Sequence, residues 1–521
     1  MASEVYDVLN KSWKSTCRIL LGEEIGELKD YEGWLKDAYK GGITQKSHLS
    51  GKEVVLASIG GSRNYCKNAR FVSADELKEN AIKPLTINEI KDVDSIVEAV
   101  AEKWEYTGNI ILGNSQFVDK SSLITNSSYV YDSYDVSDSS YIAYSTMARK
   151  QSKYCFGAIG LLNEFLIRGA NMNVKRGLET LFNVNSSDLY FAYNCNDSSD
   201  LMFCFNLKSK RNYIGNLQLP TGKYSELKKK LLAEMREELK REKKLPSLLD
   251  LCKNEKPEHV AAIKKTEEKF DMAPIEKAFS ATAKVIFKKE LGSIKDYEKY
   301  LSRYIKPIKE LISPAGIKVY QPNEPYRPYP EKRIVSLEEA YEFAKTPLNE
   351  AEISGFRQIK ENLWKNAFFV GQFREGNFYN YERAYFVINS MNIYGVNDAT
   401  NAENCAIDNM ALNSKYAFGS SRILESQFSI NCHNSLRLGR CFELDSCTNC
   451  SDTYFAHNCE GLIDAMFCWN VKAKHCAIGN RELPTEQYRK IRDGLVEQMA
   501  DEILRTKELK WDIYNIGCAK A

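Results

Sequence analysis

The stretch "SSDLYFAYNCNDSSDLMFCFNLKSKRNYIGNLQLPTGKY" (Ser186–Tyr224) aligns without a gap with "CSDTYFAHNCEGLIDAMFCWNVKAKHCAIGNRELPTEQY" (Cys450–Tyr488). The offset is a constant 264 residues, and 21 of the 39 paired positions are identical. A match of this quality inside one chain reads as an internal duplication, and it governs how the rest of the sequence divides. The echo continues upstream. "GELKDYEGWL" from Gly26 answers "GSIKDYEKYL" from Gly292, and "RFVSADELKENAIKPL" from Arg70 answers "RIVSLEEAYEFAKTPL" from Arg333. The expected division is an α/β segment over 1–108, a β-solenoid with a capping helix over 109–245 and a linker over 246–273. A second α/β segment over 274–365 and a second β-solenoid with its helix over 366–521 complete it.

The solenoid expectation rests on serine-led cassettes. "SSYVYDS" begins at Ser127, "SSYIAYS" at Ser139 and "SKYCFGA" at Ser152, and further cassettes begin at Ser186, Ser198 and Ser209. Neighbouring cassettes stand 11 to 13 residues apart, while Cys441, Cys450, Cys459 and Cys468 are spaced by nine. Short β-rich pieces at this spacing suit a sandwich or a solenoid, and the Asn-Gly and Asp-Gly hairpin signals of a sandwich are missing between them. Stacked coils would place Asn, Ser, Cys and aromatic side chains in like-on-like ladders. Two cassettes per coil predict coils of roughly 22–25 residues.

The flanking pieces read as mixed secondary structure. "STCRILL" from Ser15 and "EVVLASIG" from Glu53 suggest strands, and "LKDYEGWLKDAY" from Leu28 suggests an amphipathic helix. "SADELKENA" suggests a helix capped by Ser73 with Glu76 three residues on, and Ser336 with Glu339 repeats the pattern. Tyr320–Arg333 reads as a Pro-rich loop. In "YSELKKKLLAEMREELKREKK", Leu227, Leu231, Met235 and Leu239 form an i+4 stripe suited to closing the open end of a stack. The fold class expected is α+β: a tandem duplication, each copy an α/β segment, a β-solenoid-like region and a C-terminal amphipathic helix.

With 43% hydrophobic and 27% charged residues and a net charge of +2, the chain has the composition of a globular protein without bulk attraction to polyanions. No apolar run has the length of a membrane span and the N-terminus lacks a signal-peptide core, so the expectation is a cytoplasmic protein with fifteen reduced thiols and no membrane partner.

Chemistry-bearing residues concentrate in the second copy. Cys441, Cys447, Cys450 and His457 are the alternative metal set, with Cys447-x-x-Cys450 an acceptable half-site. Yet Cys450, His457, His475 and Cys476 face Ser186, Tyr193, Arg211 and Asn212 in the first copy, which favours packing, and no metal or cofactor is expected. The first copy has only His48, so a shared Cys–His mechanism is excluded; Cys468 with His457 or His475 is conceivable in the second copy alone. No catalytic residue is assigned. The Gly-containing basic stretch Ser58–Arg70 reads as a turn, and Asp188, Asp200, Asp452 and Asp464 as turn-forming carboxylates. Both copies do keep a basic edge: Lys208, Lys210 and Arg211 in one, Lys472, Lys474 and His475 in the other. These six are the partner-binding candidates.

The pattern Cys/Ser-x-Asp … Phe-Cys-Phe-Asn-Leu … Lys … Ile-x-Asn … Tyr, followed by a Lys/Glu-rich helix, resembles a group of uncharacterised Cys- and Asn-rich β-solenoid-like proteins of archaea and candidate-phyla bacteria. The resemblance covers Ser186–Tyr224 and Cys450–Tyr488 and implies fold, not activity. The leading expectation is a non-enzymatic scaffold or self-assembling protein, a homo-oligomer or one that binds a protein partner. An RNA- or ribosome-associated factor is the alternative, and an enzyme or metal protein using the second copy's Cys/His residues is the next.

Overall fold

A computed structural model describes residues 4–37, 42–57, 65–77, 83–263, 269–321 and 328–518. The protein is a mixed α/β molecule with nine α-helices among the described residues and two large, mainly parallel sheets of twelve and sixteen strands. The two halves of the chain have the same order of elements. A helix (α1, Glu4–Leu21; α5, Ala273–Phe287) leads to a short helical turn (α2, Glu32–Lys36; α6, Glu298–Leu301). An antiparallel hairpin, a short parallel strand pair and the large sheet follow, and a 22-residue helix closes each half (α4, Thr221–Glu242; α9, Thr485–Thr506). Between hairpin and sheet lie α3 (Val93–Ala101) in the first half and α7 (Leu337–Phe343) with α8 (Phe356–Asn362) in the second.

The sheets are built in triplets. Ser127, Val130, Ser133, Val136, Ser139, Ile142 and Ser145 all point inward and are buried. The residue before each of them (Asn126, Tyr129, Asp132, Asp135, Asp138, Tyr141 and Tyr144) is left-handed, with φ between 43° and 59°. Every third residue is thus a corner and every third an interior position, which explains the density of Asn and Asp: their short polar side chains tolerate the left-handed region best. Strands Ser128–Tyr131 and Tyr134–Ser137 pair in parallel with the strands 12 residues later, Ser128 with Ser140 and Tyr134 with Thr146. The pairing period is therefore one cassette of 12 residues, not the two cassettes of 22–25 expected. A triplet corner turns the chain more sharply than the hairpin-like corners that expectation assumed.

Serine recurs because it completes the corner. Ser133 Oγ donates to Tyr131 O (2.8 Å) and accepts from Ser145 N (3.1 Å). Ser127 does the same with Thr125 O and Ser139 N. Cysteine fills corresponding corners: Cys447 Sγ donates to Asp445 O (3.4 Å) and Ala456 O (3.3 Å), as Ser186 Oγ does to Val184 O and Cys195 O. Strand-centre positions such as Ile124, Val130, Val136, Leu189 and Leu201 fill the narrow interior. Outside, like side chains stack across successive strands. Phe117, Tyr129, Tyr141, Tyr154 and Phe165 form a column with centroids 4.7–5.1 Å apart, and Asn380, Asn392 and Asn404 hydrogen-bond in series at 2.8 Å.

Both sheets end alike. An antiparallel hairpin (Arg211–Ile214 with Leu217–Gln218; His475–Ile478 with Arg481–Glu482) runs through a proline into α4 or α9. Leu231, Met235 and Leu239 of the expected stripe are buried and Leu227 is half-buried. Several flanking elements differ from expectation. "STCRILL" is the last part of α1, because Leu9, Trp13, Cys17 and Leu20 together make a helical face buried against the sheet. "LKDYEGWLKDAY" is broken into a 3-10 turn and the short α2, and Ser73 with Glu76 caps a single 3-10 turn, whereas Ser336 with Glu339 caps α7. Part of "EVVLASIG" is the strand Glu53–Ala57; its last three residues, like 322–327 of the Pro-rich loop and 264–268 of the linker, lie outside the described residues.

The halves interlock. Thr107 N donates to His457 Nε2 (3.0 Å) and Val370 N donates to Tyr193 OH (2.9 Å) at equivalent places. Leu85 N donates to Gly479 O, and Leu348 N to Gly215 O. Between these clasps Arg422 pairs with Asp135 (2.7 Å), Met410 packs with Met147 and Ile159, and Phe182 packs on Phe373 and Phe386. The sheets lie side by side with opposite chain sense, each end held by the other half's leading segment.

Candidate functional site

The basic edge of the first half lies on the last turn before the closing hairpin. Lys208, Lys210 and Arg211 are exposed there, as expected of a binding edge. Arg211 pairs with Asp200 (3.2 Å), whereas neither Lys208 nor Lys210 takes part in an ion pair among the described residues. Alongside runs an open groove of about 600 Å³ lined by Lys175, Ser186, Ser187, Asp197, Ser199, Lys210, Arg211 and neighbouring Asn and Ser residues. The 12-residue register creates it, because Asn173, Asn185, Asp197 and Ser209 occupy one left-handed corner on successive turns and leave small polar side chains beside them. The groove offers cations, hydroxyls and amides, and no aromatic ring lines it.

The matching edge of the second half is electrostatically different. Lys472 pairs with Glu460 (2.9 Å), Lys474 with Glu482 (3.0 Å), and His475 stands 3.9 Å from Asp464. The first half has Asn196 and Gln218 at the positions of those two glutamates, so its lysines keep their charge for a partner. The expected pair of equivalent basic edges is therefore one open edge and one neutralised edge. Among the sequence signals, Glu460 and Glu482 carried this information, although pairing across strands was needed to read it.

The alternative metal set is not brought together. Cys441, Cys447 and Cys450 point into the dry interior, and their thiols donate to backbone carbonyls 3.3–3.9 Å away. Burial pushes the thiols of Cys441 and Cys447 up, as it does that of Cys204, to about 12. His457 lies outside that interior with both ring nitrogens engaged: Nδ1 on Asp445 Oδ2 (3.0 Å) and Nε2 accepting from Thr107 N. Nor does Cys468 meet His457 or His475; its thiol donates to Met466 O. Of the turn-forming carboxylates, Asp188 and Asp452 instead form two-pronged pairs with Arg176 and Arg440, one turn below. Of the Ser58–Arg70 stretch, 58–64 lies outside the described residues.

One buried polar group was not foreseen. Glu443, Asp445, His457 and Asp512 are almost fully enclosed where the C-terminal segment crosses the second sheet. Glu443 accepts from Tyr300 OH, Asn431 Nδ2 and Ile513 N, and Arg303 pairs with Asp512 (2.7 Å). Burial, with the Asp512 carboxylate second, pushes the Glu443 carboxyl up to about 8. Nothing in the residue pattern marks these acids, since an outward strand position and an inward-facing polar network read alike in sequence. Cys66 and Cys518 form a disulfide that ties this C-terminal segment to the first half, which corrects the expectation of fifteen reduced thiols; the other thirteen cysteines are free.

No helix among the described residues is long and apolar enough to cross a membrane. No family model, curated protein or solved structure matches the chain.

Proposed function

We propose that the protein is a non-catalytic scaffold of two duplicated β-solenoid units that binds an acidic segment of a protein partner along the first half's open edge. The observation that carries this reading is the asymmetry of charge pairing: Lys208 and Lys210 stand unpaired beside a groove, while Lys472 and Lys474 are held by Glu460 and Glu482. Duplication explains why both edges exist, and divergence of the neighbouring positions explains why only one is free to bind. A solenoid reading accounts for the 12-residue parallel register and the ladders. A single-stranded RNA would gain affinity by stacking bases on aromatic rings, and the groove supplies none, so phosphate contact alone would have to hold it.

The test compares a fluorescent acidic peptide with a single-stranded RNA of equal charge, each titrated into the whole protein at several salt concentrations. Salt-sensitive peptide binding that drops about tenfold or more in Lys208→Glu/Lys210→Glu and is unchanged in Lys472→Glu/Lys474→Glu is expected. Equal loss in both double variants, or preferential RNA binding, would overturn the reading.

A further inference from the structure

At the closing hairpin of the second half, three different ligand side chains converge. Asp464 and Cys476 occupy the same left-handed corner on successive strands (φ 53° and 51°), so their side chains leave the sheet one above the other. His475 precedes Cys476, and its Nε2 lies 3.8 Å from Cys476 Sγ and 3.9 Å from Asp464 Oδ2. All three donor atoms lie within 4.8 Å of one another, the one such group of three among the described residues. Tetrahedral zinc with bonds of about 2.0–2.3 Å places its ligands roughly 3.3–3.7 Å apart, so a few tenths of an ångström of closure completes the tripod. His475, 58% exposed, can supply that movement, whereas Cys476 is buried and Asp464 is fixed.

The carboxylate is held from behind. Arg492 of α9 donates from Nη1 to Asp464 Oδ1 (3.2 Å), leaving Oδ2 toward the imidazole. Arg492 is itself anchored by Asp493 and lies over the Tyr488 ring. An outer partner that orients a ligand oxygen is the usual companion of a metal site. The first half provides an internal contrast. Its equivalent carboxylate, Asp200, receives two cations, Arg211 at 3.2 Å and Lys228 at 3.5 Å, and Asn212 in place of Cys476 donates to Thr221. In the second half one of those cations has become a His-Cys pair, which leaves room for a positive charge that the protein does not itself provide.

We infer that Asp464, His475 and Cys476 form a binding site for a divalent zinc-like ion, with three protein ligands and a fourth position open to water. The mixed oxygen, nitrogen and sulfur donor set selects a borderline-soft metal over magnesium or calcium. Binding converts the Cys476 thiol to a thiolate and releases its proton to solvent, so affinity rises with pH. The site is independent of the partner-binding edge, which lies on the other half.

Cobalt(II) added to the whole protein tests it directly, because a thiolate ligand gives cobalt an intense near-ultraviolet charge-transfer band. One equivalent should produce the band, and zinc should erase it. Cys476→Ser should abolish the band, and His475→Arg, which restores the first half's residue, should weaken binding tenfold or more, while Cys447→Ser should leave it intact. Thermal unfolding of each variant without metal shows whether it is folded; His475 is exposed, so its replacement reports on binding even if Cys476→Ser is unstable. Absence of the band, its persistence in both site variants, or its loss in Cys447→Ser would overturn the inference.

Discussion

The corner serines show how much a single hydroxyl does in this fold. Ser133 closes its own turn through Tyr131 O and supplies the acceptor for Ser145 N on the next. Ser133→Val removes both bonds and leaves a buried N–H without a partner, which should cost about 1–3 kcal/mol in a denaturant titration. Ser133→Cys should cost clearly less, because Cys447 and Cys195 already make the same carbonyl contacts at other corners. Equal losses would refute the corner role. At Glu443 the effect is electrostatic. Its carboxyl, ordinarily near 4.5, titrates in the folded protein at about 8, so folding favours the protonated form. The stability this confers is complete below pH 4.5 and is lost as pH rises toward 8. Glu443→Gln should therefore flatten that decline, gaining up to a few kcal/mol on wild type between pH 5 and 8. Thermal melts across that range decide the matter; parallel curves for the two proteins would count against it.

At the scale of elements, the sequence was most legible where spacing alone set the structure. The 11-to-13-residue cassette interval appears as the strand-pairing register, and the Leu231–Met235–Leu239 stripe as the buried face of α4. It was least legible where two geometries share a pattern. Cassettes that alternate Ser with Val at every third position also satisfy a period of 12, so the triplet corner was hidden inside the longer interval. The apolar run "CRILL" suits a strand as well as it suits α1, and tertiary burial of Trp13 and Cys17 decides for the helix. For the site, the basic residues were legible and their charge balance was not. Whether Lys474 is free depends on Glu482, which reaches it only across the closing hairpin.

For the whole molecule, the interlock makes each half incomplete alone. One hydrophobic cluster joins Phe191, Phe203 and Tyr193 of the first half to Val319, Phe356 and Phe369 of the second. The other joins Val54, Trp104 and Tyr106 to Phe442, Trp469 and Tyr488. A chain cut after Ile263 should give two fragments that fail to fold cooperatively when expressed separately and reassemble when co-expressed. Circular dichroism melts and size-exclusion chromatography read the outcome. A stable, monomeric first half on its own would show that the clasps are ornament rather than foundation.

The triplet corner also restricts how such a chain can change length. One extra residue has to be absorbed as an irregularity, as between Thr146 and Ala148, where the pairing register shifts. Twelve extra residues add a full rung and lengthen one stack by about 4.8 Å, the spacing between neighbouring strands. Because the two stacks run in opposite senses and are buckled together at both ends, a rung added to one alone would slide a buckle off its seat. Growth of this architecture is therefore coupled: the halves gain or lose rungs together, like the two rails of a ladder.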